Sequence, residues 1–152
     1  MEKQFVIENN LERERLCALV NRITDEELTC TLYKEGWTVA VALAHLAFWD
    51  THRIILLKKW KKEGVTPSPS DDDVFNDTTL PFFLKLDPRE AARLAALSAI
   101  TLDRELERLS PEMITAIEKL SDRHALNRAI HRKMHLDDIE TLLQHKETGD
   151  RE

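Results

Sequence analysis

Glycine is scarce in this chain of 152 residues, which has only 3 of them, with 5 prolines, 2 cysteines and a single tyrosine. So little turn-forming material leaves few places to reverse the chain. The abundance of Leu, Ala, Glu, Lys and Arg favours helix over strand, and no segment shows convincing alternation with a period of two. The two cysteines, Cys17 and Cys30, form neither a C-x-x-C nor a zinc-ribbon pattern. Such unclustered thiols suit a reducing cytosol and read as small core residues. Positive charge is not in excess either: the formal net charge is −6, which argues against a nucleic-acid surface. A membrane-spanning run is also lacking. The longest near-apolar stretch, Val39 to Trp49, is interrupted by His45 and falls far short of the roughly 20 residues a span needs. Met1-Glu2-Lys3-Gln4 carries no apolar signal region. Neither an H-E-x-x-H nor an EF-hand pattern is found, so a zincin protease and a calcium loop are not supported. What is there, 42% hydrophobic and 33% charged residues, describes one cytoplasmic globular domain, expected over 1–146 with a polar tail at 147–152.

Apolar periodicity predicts four long helices. The first covers residues 3–23, where Leu16, Leu19, Val20 and Ile23 fall at i, i+3, i+4 and i+7. Thr24-Asp25-Glu26-Glu27 is a capping box that opens a short turn, and Gly36 then breaks the chain. A second helix is expected from Thr38 to about Lys62, its first half apolar nearly all round and therefore buried on most sides. Residues 63–87 give no regular pattern beyond short turns at Val74-Phe75-Asn76 and Pro81-Phe82-Phe83-Leu84. A connection this long is uncommon in a compact domain. Asp87-Pro88-Arg89-Glu90 starts the third helix, which runs to about Leu109. Ser110-Pro111 starts a short one, and Ser121-Asp122 is placed as the cap of a fourth over about 122–146. The fold class is all-α, a four-helix bundle with a long connection between helices two and three.

Histidines carry the chemistry. At about 100° per residue, His124, His131 and His135 lie within about 40° of one another on the fourth helix. Asp138 shares that face, while Arg132 and Lys133 point away. His45, Trp49 and His52 share a face of the second helix. A lone imidazole on an apolar helix is expensive to bury without a partner. Together His45, His131 and His135 make a candidate metal site of the open, three-ligand type. Each also has a plainer reading. His45 alone is more often a hydrogen-bonded core residue, an H-x-x-x-H pair alone is a weak signal, and His52, His124 and His145 read most simply as partly exposed. Trp37, Phe48 and Trp49 read as core, with Trp49 the one best placed to line a pocket. Asp71-Asp72-Asp73 reads as a solvated loop.

The string Gly36-Trp37-Thr38-Val39 followed by Leu43, His45 and Trp49 resembles the signature of the DinB/YfiT-like superfamily of four-helix bundles, and His131 and His135 match its second element on the last helix. The Val74-Phe75-Asn76 turn resembles a segment that precedes the third helix in these proteins, so the likeness covers nearly the whole chain. It implies that His45, His131 and His135 bind a divalent metal, with Zn²⁺, Ni²⁺ and Fe²⁺ all suited to three imidazoles. It further implies a transferase or hydrolase reaction on a small molecule, with a low-molecular-weight thiol as a candidate co-reactant, and a homodimer. Asp138 is then a candidate acceptor that orients a ligand imidazole, and His52 or His124 a fourth ligand or proton shuttle. Two positions depart from the family pattern. Val41 stands where relatives carry an acid that completes the cap of Thr38, and Met134 stands where they often carry Glu. The competing reading is a non-catalytic small-molecule-binding or stress-associated interaction protein on the same fold.

Overall fold

A computed structural model describes residues 3–149. Met1 and Glu2, on which part of the N-terminal reading rests, and residues 150–152 of the expected tail lie outside the described residues. The long helices are α1 (Gln4–Arg22), α3 (Val39–Glu63), α5 (Pro88–Glu107) and α7 (Ala129–Gly149). Shorter ones are α2 (Asp25–Leu28), α4 (Asp72–Phe83) and α6 (Pro111–Glu118). Both α1 and α3 pack against α5 and α7. The four therefore close into a ring in which α1 and α3, consecutive long helices in sequence, lie on one diagonal. Among the described residues, α3 is the one helix long and apolar enough to cross a bilayer by length and composition, but 61% of its most apolar window is buried inside the bundle. Its all-round apolar first half is core: Val39, Ala42, Leu43, Ala44 and Leu46 are each at most 1% exposed, packed with Leu16, Leu19, Ala92, Ala99, Leu136 and Ile139. A second cluster, from Ile54, Leu57, Trp60, Leu102, Leu106, Ile114 and Ile117, fills the other end. Cys17 and Cys30 are half-buried rather than core, and no disulfide joins them.

Several helix ends follow the capping chemistry legible in sequence. Thr24 and Glu27 exchange both capping-box bonds, Asp87 accepts from Glu90 N, and Ser110 from Met113 N. Thr38 accepts from Val41 N at 3.1 Å, a cap without its reciprocal acid, as Val41 implies.

Three elements depart from the sequence expectation. Residues 31–38 form a small antiparallel hairpin, β1 (Thr31–Tyr33) with β2 (Trp37–Thr38). Its turn needs the positive φ of +87° at Gly36, a conformation most side chains resist. Two strands of three and two residues are too short to show a period. Within the expected loop, α4 forms because Asp71 caps Val74 N and Asp72 and Asp73 complement the helix dipole, so the acidic run is a helix start. No residue of α4 is buried, so apolar periodicity could not reveal it. Last, α7 begins at Ala129 rather than near 122: Ser121 takes φ +58°, and Asp122 accepts from His124 N to make a local turn.

The cap of α7 comes from α1. Asn9, 1% exposed, accepts from the backbone N–H groups of Arg128 (2.7 Å) and Ala129 (3.0 Å) and donates to the carbonyl of Leu126. Beside it lies a buried ionic network. Arg132 donates to both oxygens of Asp103 (2.8 and 2.9 Å), to Asp50 (3.1 Å) and to the carbonyl of Asn9 (3.2 Å). Arg128 donates to Asp50 at 3.1 Å and Arg13 to Asp103 at 3.1 Å. The expectation that Arg132 points away with Lys133 is therefore corrected: Arg132 is 0% exposed. Burial opposes its charge, and the attraction of Asp50 and Asp103 outweighs it, holding the guanidinium pKa above its ordinary value.

Arg132→Met removes the guanidinium that joins two buried carboxylates, leaving Asp50 with Arg128 alone and Asp103 with the partly exposed Arg13, and is expected to destabilise the fold by about 3 kcal/mol in urea unfolding. Adding Asp103→Leu to it should recover part of the loss. Equal midpoints for wild type and the single variant would show that the network does not bind the helices together.

Candidate metal centre

Helix α3 presents His45 and helix α7 presents His131 and His135, one turn apart. The three rings form a nearly equilateral triangle, with centroids 4.8 Å (His45 to His131), 4.9 Å (His45 to His135) and 4.9 Å (His131 to His135) apart. One ring nitrogen of each lies within 4.8 Å of the others, and the Nε2 atoms of His45 and His131 are 2.9 Å apart. Nitrogens at about 2.1 Å from one tetrahedral ion sit about 3.4 Å from each other, a spacing these two distances bracket. Burial is the largest cause that lowers all three imidazole pKa values, His45 to about 3 and His135 to about 4; neighbouring His135 and then Arg128 add to the effect at His45. The rings are thus neutral near pH 7, the form that offers a lone pair to a metal.

Hydrogen bonding decides which nitrogen of His135 carries its proton. The Tyr33 hydroxyl donates its one hydrogen to Asp138 Oδ2 at 2.5 Å. Its contact with His135 Nδ1, at 2.9 Å, must then be donated by the imidazole. That places the lone pair on Nε2, which is buried and has no hydrogen-bond partner in the protein. Orphaned polar atoms of this kind are rare in cores, and the residues present fit a metal. Asp138 therefore supports the ligand through Tyr33 rather than directly. Burial first, then the bond to Asp138, raises the phenol pKa, so Tyr33 stays protonated.

Sequence reading missed Tyr33 because a hairpin too short to show a pattern brings it to α7. It also read Trp37 as core, whereas the indole lies 5.0 Å from the His45 ring and stacks at 6.4 Å on that of His135. Trp49 instead donates Nε1 to Asn76 Oδ1 at 3.1 Å and meets Phe48, Phe75 and His52, pinning α4 to α3. His52 follows on α3, half-buried, with Nδ1 unpartnered. His124 lies in the turn before α7, not on the helix face expected for it, and its carbonyl accepts from Arg128. Met134 is 53% exposed, beside rather than within the triad, so an acid missing there removes nothing from the triad itself.

A four-helix bundle holding three converging neutral imidazoles near one end of its last helix defines a class of metal-site bundle. The family model of the DinB superfamily matches residues 9–151, and the chain belongs to that superfamily. No curated protein and no solved structure matches the chain.

Two outcomes follow. Tyr33→Phe frees the tautomer of His135 and should weaken Zn²⁺ or Ni²⁺ affinity about 10–100-fold in competition with a chelator, as loss of a ligand's supporting partner does elsewhere. An unchanged affinity would remove Tyr33 from the site. In the metal-free protein, the unfolded chain protonates its histidines near the ordinary value of 6.5, while the fold resists to about 4 and below. The unfolded state therefore binds more protons, and stability, full above about 6.5, is lost as pH falls. The urea midpoint should drop between pH 7 and 5.5, and drop less in His45→Gln. A flat midpoint over that range would mean solvated imidazoles.

Proposed function

We propose that this protein binds one divalent metal ion through His45, His131 and His135 and uses it in a transferase- or hydrolase-type reaction on a small molecule. The supporting observation is the buried, partnerless Nε2 of His135, held by the Tyr33–Asp138 relay and converging with two other neutral rings. Three neutral nitrogens suit Zn²⁺, Ni²⁺ and Fe²⁺ without selecting among them. Bound there, such an ion keeps its full charge and open positions, and would acidify a coordinated water or hold a small thiol as thiolate. The protein's part is positional: three rings hold, Tyr33 and Asp138 orient, and Trp37 shields one side from water.

The test is metal content. After purification without chelators and reloading with Zn²⁺ or Ni²⁺, the wild type should carry one ion per chain and His45→Ala none. Wild-type protein that holds no stoichiometric metal after reloading would overturn the proposal.

A further inference from the structure

Beyond the triad, α3 continues a face whose side chains are short of partners. His45, Trp49 and His52 recur at i, i+4 and i+7, which puts His52 about 10 Å along the helix from His45. Two nitrogens there are buried without a hydrogen-bond partner in the protein: Nδ1 of His52 and Nε of the adjacent Arg53, the second of which is always a donor. The Arg53 side chain is only 12% exposed, and its one ion pair, Nη2 to Asp122, is 3.7 Å long, beyond hydrogen-bond reach. A buried polar group left unmatched costs about 1–3 kcal/mol.

Charges of both signs surround this face. Arg128 and Arg132 share two buried carboxylates, Asp50 and Asp103, and Arg13, 23% exposed, joins Asp103 from the rim. Arg128 is 3% exposed, and its charge acts on His45 and His131 on one side and on His52, Arg53 and His124 on the other. It lies between the triad and the Arg53 face. The nearby acids are Asp122, already loosely engaged with Arg53, Asp50, held by Arg128 and Arg132, and Asp72 at the start of α4. None of the three makes a hydrogen bond to the Arg53 Nε edge.

We infer that Arg53 and His52 form an anion subsite that holds the carboxylate or phosphate end of the small molecule whose other end reaches the histidine triad. This inference rests on the metal-site reading for its second half. The Nε edge of a guanidinium pairs with carboxylate or phosphate oxygens in a two-bond fork, and the neutral His52 supplies a third donor in the tautomer with its hydrogen on Nδ1. Trp49, fixed by Asn76 between the two ends, fits an apolar middle. The substrate class is then a small anion about 10 Å long, with its charged group remote from its reacting group.

Calorimetric titration of the full-length protein separates the two readings. Inorganic phosphate and succinate are titrated into metal-free and zinc-loaded wild type, with chloride at matched ionic strength as control. One of the two should bind at one per chain, and the tighter one names the charged group. Arg53→Gln should weaken it at least tenfold while zinc content stays stoichiometric. His45→Ala should lose zinc yet bind the anion as wild type does. Arg53→Lys, which keeps the charge and loses the fork, should also weaken binding about tenfold and serves if Arg53→Gln folds poorly. No binding beyond the chloride control, or equal binding by the Arg53 variants, overturns the anion subsite. Anion binding by a wild type that takes up no zinc would sink the metal reading and leave the subsite standing.

Discussion

The guanidinium of Arg132 is the point on which the bundle turns. It stands on α7, grips Asp103 of α5 with two bonds, reaches Asp50 of α3 and ends on the backbone of Asn9 in α1. Each long helix thus supplies a directional partner to one buried charge. Apolar contacts among Ala and Leu hold helices together but tolerate sliding and rotation. A fork of charged hydrogen bonds does not, because a shift leaves ions buried and unpaired. Register fixed there is inherited by the histidine triad. His131 precedes Arg132 and His135 follows it by three positions, while His45 lies five residues before Asp50. Once the ion pairs set the rotation of α7 against α3, the three rings have little choice about where they meet.

Asn9 makes the dependence stronger. The first turn of α7 has backbone donors that need acceptors; the local Asn127 Oδ1 accepts only from Ile130 N, at 3.4 Å, and Asp122 is spent on a local turn. The amide of Asn9 takes two of these donors from across the bundle. The helix that carries two of the three histidines therefore starts only where α1 is docked. Secondary structure here is a product of packing, not its precursor.

This separates what the sequence reveals from what it hides. Caps made within a few residues, at Thr24, Thr38, Asp87 and Ser110, are legible, and so is the apolar stripe of each long helix. His45, His131 and His135 are legible as ligand-type residues at helical spacing, in an order that resembles the family pattern. The start of α7 is hidden because its two shorter cap bonds come from Asn9, far away in the chain, and α4 because its inner face is only half-buried. Arg132 was misread because a long charged side chain is assigned to solvent unless its partners are known, and Asp50 and Asp103 sit on other helices. Tyr33 was overlooked for a related reason: a phenol acquires a role only when a two-strand hairpin sets it against α7.

The electrostatics of the interior follow from the same network. The guanidinium of Arg128, a member of that network, sets a positive charge close enough to act on His45 and His131. A positive field disfavours imidazolium, so it cooperates with burial to keep the rings unprotonated and their lone pairs free. On the far side of the triad, Asp138 bonds to the phenol that orients His135, and the pull of its charge toward imidazolium is weaker than the effect of burial, which keeps that ring neutral. The arrangement that locks the helices also keeps the histidines in ligand form. The same Arg128 charge that disfavours protons on the imidazoles favours an anion beside it, and the structure leaves two unpartnered nitrogens on neighbouring residues, His52 Nδ1 and Arg53 Nε, where one could be held.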